Sequence, residues 1–431
     1  MSQQPQQPGH KGTVLILSQV YIPDPAAVGQ HMADAAANLA QRGRRVVVLT
    51  SANGYNDPSI KYPKRETIDN VNVVRLGLSS FGKANLLTRI LGAVLFMLQS
   101  MFKGLFIKDL DTIVVSTSPP MCIFAALFIT TLRPKTKVCF WVMDINPEQL
   151  ISLNKVKTGS LPANILNTLN KRMLKKADAT VVLDRFMADT MRQKHDPGDR
   201  LAIIPPWPPA DFESPVEHQD NHFRDQHNIQ DKFVVMYSGN HGLFLPLDAL
   251  INAAIKMKDD PSVVFMFIGD GARKRDVESA IENHNLTNVR SLPYQPIETL
   301  RYSLSAADLH AVTIADDMVG IIHPCKVYGA MAVARPLLLV GPNPCHVSDL
   351  IHEHDLGWHT PNSDADAVVN AIKDAQAMPP EQRAAMGNRA RHLVTTSLNL
   401  NTLCTRFADI VDDPTRSNTL QTAPATTQSA A

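Results

Sequence analysis

The sequence predicts an α/β protein made of two doubly wound domains, and three observations carry that reading. Short continuous apolar runs recur along the chain, as parallel strands buried on both faces require. Between them lie segments whose apolar residues fall at helical spacing, so strands and helices alternate as βαβ units. Near the middle, Pro205-Pro-Trp-Pro-Pro209 and the polar, His-rich stretch after it interrupt the alternation and divide it into two series.

In the first series, Thr13-Val-Leu-Ile-Leu-Ser18 reads as a buried strand. The helix after it carries Met32, Ala36, Leu39 and Ala40 on one face and stops at Gly43, before the strand Arg45-Val-Val-Val-Leu-Thr50. Further strands are expected at Val71–Leu76, Thr112–Ser116, Lys137–Val142, Ala179–Leu183 and Leu201–Ile204, with a helix bearing Ile165, Leu166, Leu169 and Met173 among them. The second series has strands at Phe233–Tyr237, Val263–Ile268, Val289–Leu292, Leu309–Thr313 and Pro336–Val340, with helices after Pro246, after Gly271 and around Lys326–Ala334. The expected domains are 12–208 and 231–395, joined by a linker at 209–230. A last helix at 396–412 places Leu400, Leu403, Phe407, Ile410 and Val411 at helical spacing. The tails, 1–11 and 413–431, are too polar to support a core and are expected to be disordered.

The 431 residues are 44% hydrophobic and 19% charged, with 42 Lys and Arg against 41 Asp and Glu. So even a balance excludes a protein that grips nucleic acid by bulk charge, and no nucleic-acid partner is expected. The five cysteines form no C-x-x-C pair and mostly sit in apolar runs, which suits buried thiols in a reducing, cytoplasmic compartment. The N-terminal residues show no charged segment followed by an apolar one, so no secretory signal is expected. The apolar stretches between Arg89 and Lys103 and from Met121 to Leu132 fall short of the ~20 residues a spanning helix needs. Residues 86–108 nevertheless mix Leu, Ile, Phe and Met with Arg89, Lys103 and Lys108. Such a helix either packs on the first domain's core or lies in a membrane interface against anionic lipid.

Ligands of open parallel sheets bind beyond the carboxyl ends of the strands. After the first strand comes Tyr21-Ile-Pro-Asp-Pro-Ala-Ala-Val-Gly29, ending in a Gly that permits close approach to the backbone. In the second half, Tyr237-Ser-Gly-Asn-His-Gly242 and Phe267-Ile-Gly-Asp-Gly271 each end a strand in a Gly-rich turn suited to a phosphate, the latter followed by Ala272-Arg-Lys-Arg at a helix start. Val319-Gly-Ile-Ile-His-Pro-Cys-Lys326 puts Lys326 at the start of another helix, where a cation opposes the helix dipole unless an anion is present. His346, His352, His354 and His359 cluster in sequence, as do His218, His222 and His227, without the spacing of a zinc site. No metal is expected.

In this order the segments resemble a known family. Pro23-Asp-Pro-Ala-Ala-Val-Gly29, Leu39-Ala-Gln-Arg-Gly43, Ser116-Thr-Ser-Pro-Pro120, Asp144-Ile-Asn-Pro-Glu148 and Lys175-Lys-Ala-Asp178 carry the resemblance in the first half. Tyr237-Ser-Gly-Asn240, Phe267-Ile-Gly-Asp-Gly271, Ala306-Ala-Asp308 and Lys326-Val-Tyr-Gly-Ala-Met-Ala332 with Arg335-Pro336 carry it in the second. The series, from about Val14 to Ile410, is similar to retaining glycosyltransferases of the family-four type, in particular the bacterial colanic-acid and N-acetylfucosaminyltransferase kind.

The resemblance implies a GT-B fold, two Rossmann-like domains facing each other across a cleft, with the 396–412 helix packing back toward the first domain. It implies a UDP- or GDP-sugar donor, a lipid-linked or saccharide acceptor in surface-polysaccharide synthesis, and no cofactor or metal. The enzyme would sit in the cytoplasm or peripherally on the inner face of the membrane. Gly239, Asn240 and His241 would lie near the diphosphate with Gly269, Asp270 and Gly271 beside them. Tyr294 and Gln295 would flank the base, and Gly320, Ile321 and Lys326 would face the sugar and diphosphate. Gly29 would let the first domain close over the donor. Asp144 would orient the acceptor or take its proton; an ordinary N-cap or loop role is the alternative. The chain departs from the family pattern in having no Glu in Val319–Gly329, Leu243-Phe-Leu-Pro-Leu247 where relatives often carry Arg and Lys, Ala334 where Gly is usual, and Pro206 where Asn often precedes the Trp. A nucleotide-sugar epimerase and a non-catalytic scaffold are the competing functions on the same architecture.

Overall fold

The computed structural model describes residues 12–24, 26–54, 57–79, 86–208 and 214–417. The chain divides into two compact units, Met1–Pro205 with Asn401–Ala431, and Pro206–Leu400.

In the first unit every apolar run expected to be a strand is one: β1 (Thr13–Leu17), β2 (Arg45–Ser51), β4 (Val71–Leu76), β5 (Leu110–Ser116), β6 (Lys137–Trp141), β7 (Ala179–Val182) and β8 (Leu201–Ile203). An unexpected strand, β3 (Arg65–Ile68), pairs antiparallel with β4 across a turn in which Asp69 and Asn70 take φ of 47° and 63°. Two left-handed residues of these types make the tight turn whose twist suits a hairpin. The sheet order is β3-β4-β2-β1-β5-β6-β7-β8, parallel apart from β3. Helices α1 (Ala27–Gln41), α2 (Leu86–Leu105), α3 (Cys122–Leu132), α4 (Glu148–Ser152), α5 (Leu161–Lys176) and α6 (Arg185–Lys194) connect the strands. The order reverses direction between β1 and β5, where a ligand-sized crevice forms in doubly wound sheets.

The second unit repeats the plan with β9 (Phe233–Ser238), β10 (Val263–Ile268), β11 (Val289–Leu292), β12 (Leu309–Thr313), β13 (Leu337–Val340) and β14 (Gly357–Thr360), in the order β11-β10-β9-β12-β13-β14 and all parallel. Its helices are α7 (His222–Gln226), α8 (Asp248–Lys256), α9 (Lys274–His284), α10 (Ile297–Ser305), α11 (Lys326–Ala332), α12 (His346–His354), α13 (Ala365–Ala377) and α14 (Pro380–Thr396). Phe233, Val235 and Tyr237 of β9 join one buried cluster with Leu250 and Ala254 of α8. Val234 and Met236 join another with Phe223 of α7 and Leu304 of α10. Both faces of the strand are thus buried, which explains its unbroken apolar sequence.

The stretch 209–230, expected to be a linker, is ordered over its described residues. Phe223 and Ile229 are core residues, and the buried Arg224 guanidinium donates to the carbonyls of Ala306 at 2.5 Å, Ile229 at 2.7 Å and Lys232 at 2.6 Å. It also lies 3.3 Å from Asp308, whose carboxylate accepts the Val234 amide. These partners lie far along the chain or on its backbone, so the polar composition of the segment concealed its packing.

Helix α15 (Leu400–Asp412) lies, from Asn401 on, in the first unit, where Phe407 packs 4.1 Å from Trp141, centroid to centroid. Arg42 bonds Asp409 at 2.7 Å, and Arg44 reaches both Asp111 at 2.6 Å and Asp412 at 3.5 Å. Beyond it, a 3-10 turn at Pro414–Ser417 buries Ser417, so order extends a few residues into the stretch expected to be disordered. Residues 1–11 and 418–431 lie outside the described residues. No described helix is long and apolar enough to cross a membrane. The five cysteines are free; burial pushes up the thiols of Cys122 and Cys139, the latter to about 12.

Candidate functional site

In the first unit, the loop after β1 meets the loop after β5 at the reversal of strand order, the Gln19 amide donating to the Ser118 carbonyl at 3.4 Å. Gly29, in the first turn of α1, is buried against that first loop. A Cβ there would stand 3.1 Å from Val20 Cγ1 and 3.2 Å from the Tyr21 backbone. A side chain there would have to push the first loop back by a few tenths of an ångström, so chain packing on chain favours glycine at this position. Asp144 follows β6, and its amide and that of Met143 each donate at 3.0 Å to the Thr117 hydroxyl beyond β5. This fixes the backbone and leaves the half-buried carboxyl to its surroundings, which push it up to about 6 by desolvation.

In the second unit the strand order reverses between β9 and β12, and the turns expected to hold the donor lie around the end of β9. Gly239, Gly269 and Gly271 have φ of 131°, 140° and 144°. At the latter two the contacts also leave no room for a side chain: a Cβ on Gly269 would fall 2.0 Å from the Gly239 carbonyl oxygen, and one on Gly271 would fall 2.6 Å from that of His241. The two turns therefore interlock as one structure. Four of its amides are used internally: Gly239 donates to Ile268, His241 to the Asp270 carbonyl, Gly269 to Leu292, and Gly271 to the Asp270 carboxylate, all at 2.8–2.9 Å. Asp270 thus acts within the turn.

Lys326, the first residue of α11, reaches this structure. Its Nζ is 3.4 Å from the Asn240 carbonyl and 3.6 Å from the centroid of the Tyr237 ring. The Tyr237 hydroxyl donates to the same carbonyl at 2.8 Å. Desolvation holds the Lys326 ammonium well below its ordinary range and raises the buried Tyr237 hydroxyl. Among the described residues no carboxylate pairs with Lys326. His241 is buried, with Nδ1 unpaired; desolvation, then Lys326 and Lys274, lower it to about 4 and keep its imidazole neutral at pH 7.

The other expected residues stand in separate places. Tyr294, exposed, donates to the Asp270 carbonyl at 3.4 Å and so borders the turns, while Gln295 folds onto the Pro293 carbonyl at 3.0 Å. Gly320 (φ 70°) and Ile321 belong to the turn before α11, where the Ile321 amide donates to Met318. Sequence reasoning passed over Tyr237 and Lys274 as site residues, and also the hydrogen-bonded series His323, Tyr328 and His346. In that series the Tyr328 hydroxyl lies 2.8 Å from His323 Nε2 and 2.9 Å from His346 Nε2. Lys274 shared one signal with Lys326, a lysine as the first residue of a helix; the tyrosine–histidine series had none.

Residues 26–207 match the family described as Glycosyl transferase 4-like domain, and residues 219–393 match Glycosyl transferases group 1. The chain is 28% identical over 237 residues to the probable glycosyltransferase WbjE of Pseudomonas aeruginosa, covering 54% of this chain and 59% of that protein. It is 22% identical over 386 residues to the putative colanic acid biosynthesis glycosyl transferase WcaI of Escherichia coli K12, covering 86% and 94%. Among solved structures, Anabaena HepE in complex with UDP and glucose superposes with a TM-score of 0.70 at 14% identity, over 93% of this chain and 100% of that one. Two Rossmann-like sheets, each with its own reversal point, and two consecutive family matches that between them span most of the sequence lead to one conclusion: the chain belongs to the glycosyltransferases of the GT-B fold, a glycosyl transferase 4-like domain followed by a group 1 domain.

Proposed function

We propose that the chain is a retaining transferase that moves a hexosyl or N-acetylhexosaminyl group from a UDP- or GDP-sugar to a lipid-linked or saccharide acceptor in surface-polysaccharide synthesis. The observation that carries this reading is Lys326, a partly desolvated ammonium held over the Gly239–His241 turn and resting on a carbonyl and an aromatic ring. A leaving diphosphate supplies the negative charge such a cation lacks, and the stabilisation grows as the bond to the sugar breaks. Attack comes from the face the leaving group occupies, the departing phosphate oxygen takes the acceptor's proton, and no metal is needed. Asp144 is the acceptor-side residue. The bound UDP and glucose named for HepE and the colanic-acid assignment of WcaI support the donor class and the biosynthetic setting.

The acceptor is read as lipid-linked because two adjoining helices of the first unit expose apolar side chains within a cation-rich stretch of the chain. Ile90, Leu91, Leu98, Phe102 and Phe106 on and after α2, with Phe128 and Leu132 of α3, are exposed, Phe102 by 68% and Phe106 by 73%. Residues 86–176 hold twelve Lys and Arg against four Asp and Glu, although the whole chain is almost balanced. Apolar side chains among excess cations suit the anionic cytoplasmic leaflet.

The test is to incubate purified protein with UDP-, GDP- and ADP-sugars and a membrane lipid extract, following nucleoside diphosphate release and the anomeric configuration of the product. Extract-dependent release with retained configuration is expected. An altered free nucleotide sugar without transfer favours an epimerase, and nucleotide binding without turnover favours a scaffold.

A further inference from the structure

We infer that Lys274 is a second phosphate-binding cation at the interlocked glycine turns, in addition to Lys326, so that the site grips a nucleoside diphosphate with two lysines. This rests on the donor reading above and assigns a role to one residue of the Ala272-Arg-Lys-Arg segment, which the sequence marked only as a basic helix start.

Four amides of the Gly239–His241 and Gly269–Gly271 turns already donate to groups of the protein. The Asp270 carboxylate adds a negative charge to the same turns. A diphosphate here therefore depends on side-chain cations more than a Gly-rich turn with free amides would. Lys326 supplies one, resting on the Asn240 carbonyl of the first turn.

Lys274 mirrors it. Its Nζ lies 3.1 Å from the carbonyl of Gly269, in the second turn, and Gly269 packs directly against the Gly239 carbonyl. Both ammonium groups lower the titration of His241, a residue of the first turn whose ring abuts Gly269 of the second, so both are electrostatic neighbours of the same buried ring. Among the described residues neither lysine has a carboxylate partner, whereas the adjacent Arg273 is engaged by Asp248 at 2.8 Å and Asp276 at 2.7 Å. Lys274 also opens the eleven-residue α9, where its charge opposes the dipole. A half-buried lysine resting on a neutral carbonyl, in a field already unfavourable to cations, is stabilised by an anion placed over the turns.

Calorimetry on the full chain, titrated with UDP, GDP, uridine and guanosine, tests this. Lys274→Met is expected to weaken binding of the preferred diphosphate roughly ten- to a hundred-fold, to leave the matching nucleoside unchanged, and to raise donor KM far more than it lowers kcat. Lys274→Arg should recover most of the loss, Arg275→Met should lose little, and thermal unfolding should show each variant folded. Diphosphate affinity unchanged in Lys274→Met overturns the inference. So does an equal loss for diphosphate and nucleoside, which would mark a role in shaping the turn. Wild-type protein that binds neither diphosphate overturns the donor reading itself, and the inference with it.

Discussion

Burial acts on Asp144 and His241 through the same penalty, that of a charge taken out of water, and moves their titrations in opposite directions. For Asp144, with a folded value of about 6 against an ordinary carboxyl near 4, the native state holds the proton more tightly than the unfolded chain does. Stability contributed by this group is therefore present below pH 4 and is lost as pH rises through 6. Asp144→Asn is expected to raise the thermal midpoint at pH 8, by up to about 2–3 kcal/mol of stability, and to change it little at pH 4; equal shifts at both would dismiss the desolvation account. The same variant should flatten the acid limb of turnover if the carboxylate serves the acceptor. The role proposed for Lys326 is chemical instead: Lys326→Ala should cut kcat by roughly a hundred-fold or more with the midpoint nearly unchanged, and a wild-type rate would remove it from the mechanism.

Helix ends and buried charges decide the elements around the site. Ala334 follows the C-terminus of α11 with φ 55°, a left-handed conformation that suits Gly, while Gly387 of α14 packs so tightly on it that a Cβ there would stand 2.0 Å from the Ala334 carbonyl. Ala334→Gly is expected to stabilise the second unit by about 1 kcal/mol, seen as a higher denaturation midpoint; a lower one would mean that the methyl's packing outweighs its backbone strain. Arg224 acts on a larger scale, fastening α7 to the loop before β12. Arg224→Met leaves Asp308 and several buried carbonyls without their cation, and should destabilise by about 3 kcal/mol or more in thermal unfolding, whereas an exposed change such as Arg275→Met should cost little.

Over the whole molecule, near neutrality conceals a division of charge. The excess of cations falls in 86–176, the stretch that also carries the exposed Phe102 and Phe106, and Phe102→Ser with Phe106→Ser should reduce sedimentation with phosphatidylglycerol vesicles several-fold without altering nucleotide binding. Undiminished sedimentation would assign that face elsewhere. The parallel strands were legible because burial on both faces imposes an unbroken apolar run that no other requirement interrupts. Of the four edge strands, β8 and β11 were still apolar enough to read, whereas β3 and β14 escaped because they are only partly buried and carry Arg65, Glu66 and His359 in place of an apolar run. The segment 209–230 escaped because what orders it, Arg224 with Ala306 and Asp308, joins residues over eighty positions apart.

The candidate site divides along the same line. Glycines at strand ends and a lysine opening a helix are local signals, written in adjacent residues by the conformations they permit and the dipoles they oppose, so the sequence by itself determined the two Rossmann-like sheets, the Gly239 and Gly269 turns and the place of Lys326 at a helix start. The interlocking of those turns, the engagement of their amides, and the resting of Lys274 on the second turn and Lys326 on the first were decided only by the tertiary structure. Each depends on distances between segments brought together by burial, and the energy of a charge depends on what surrounds it in space, which adjacent residues do not record.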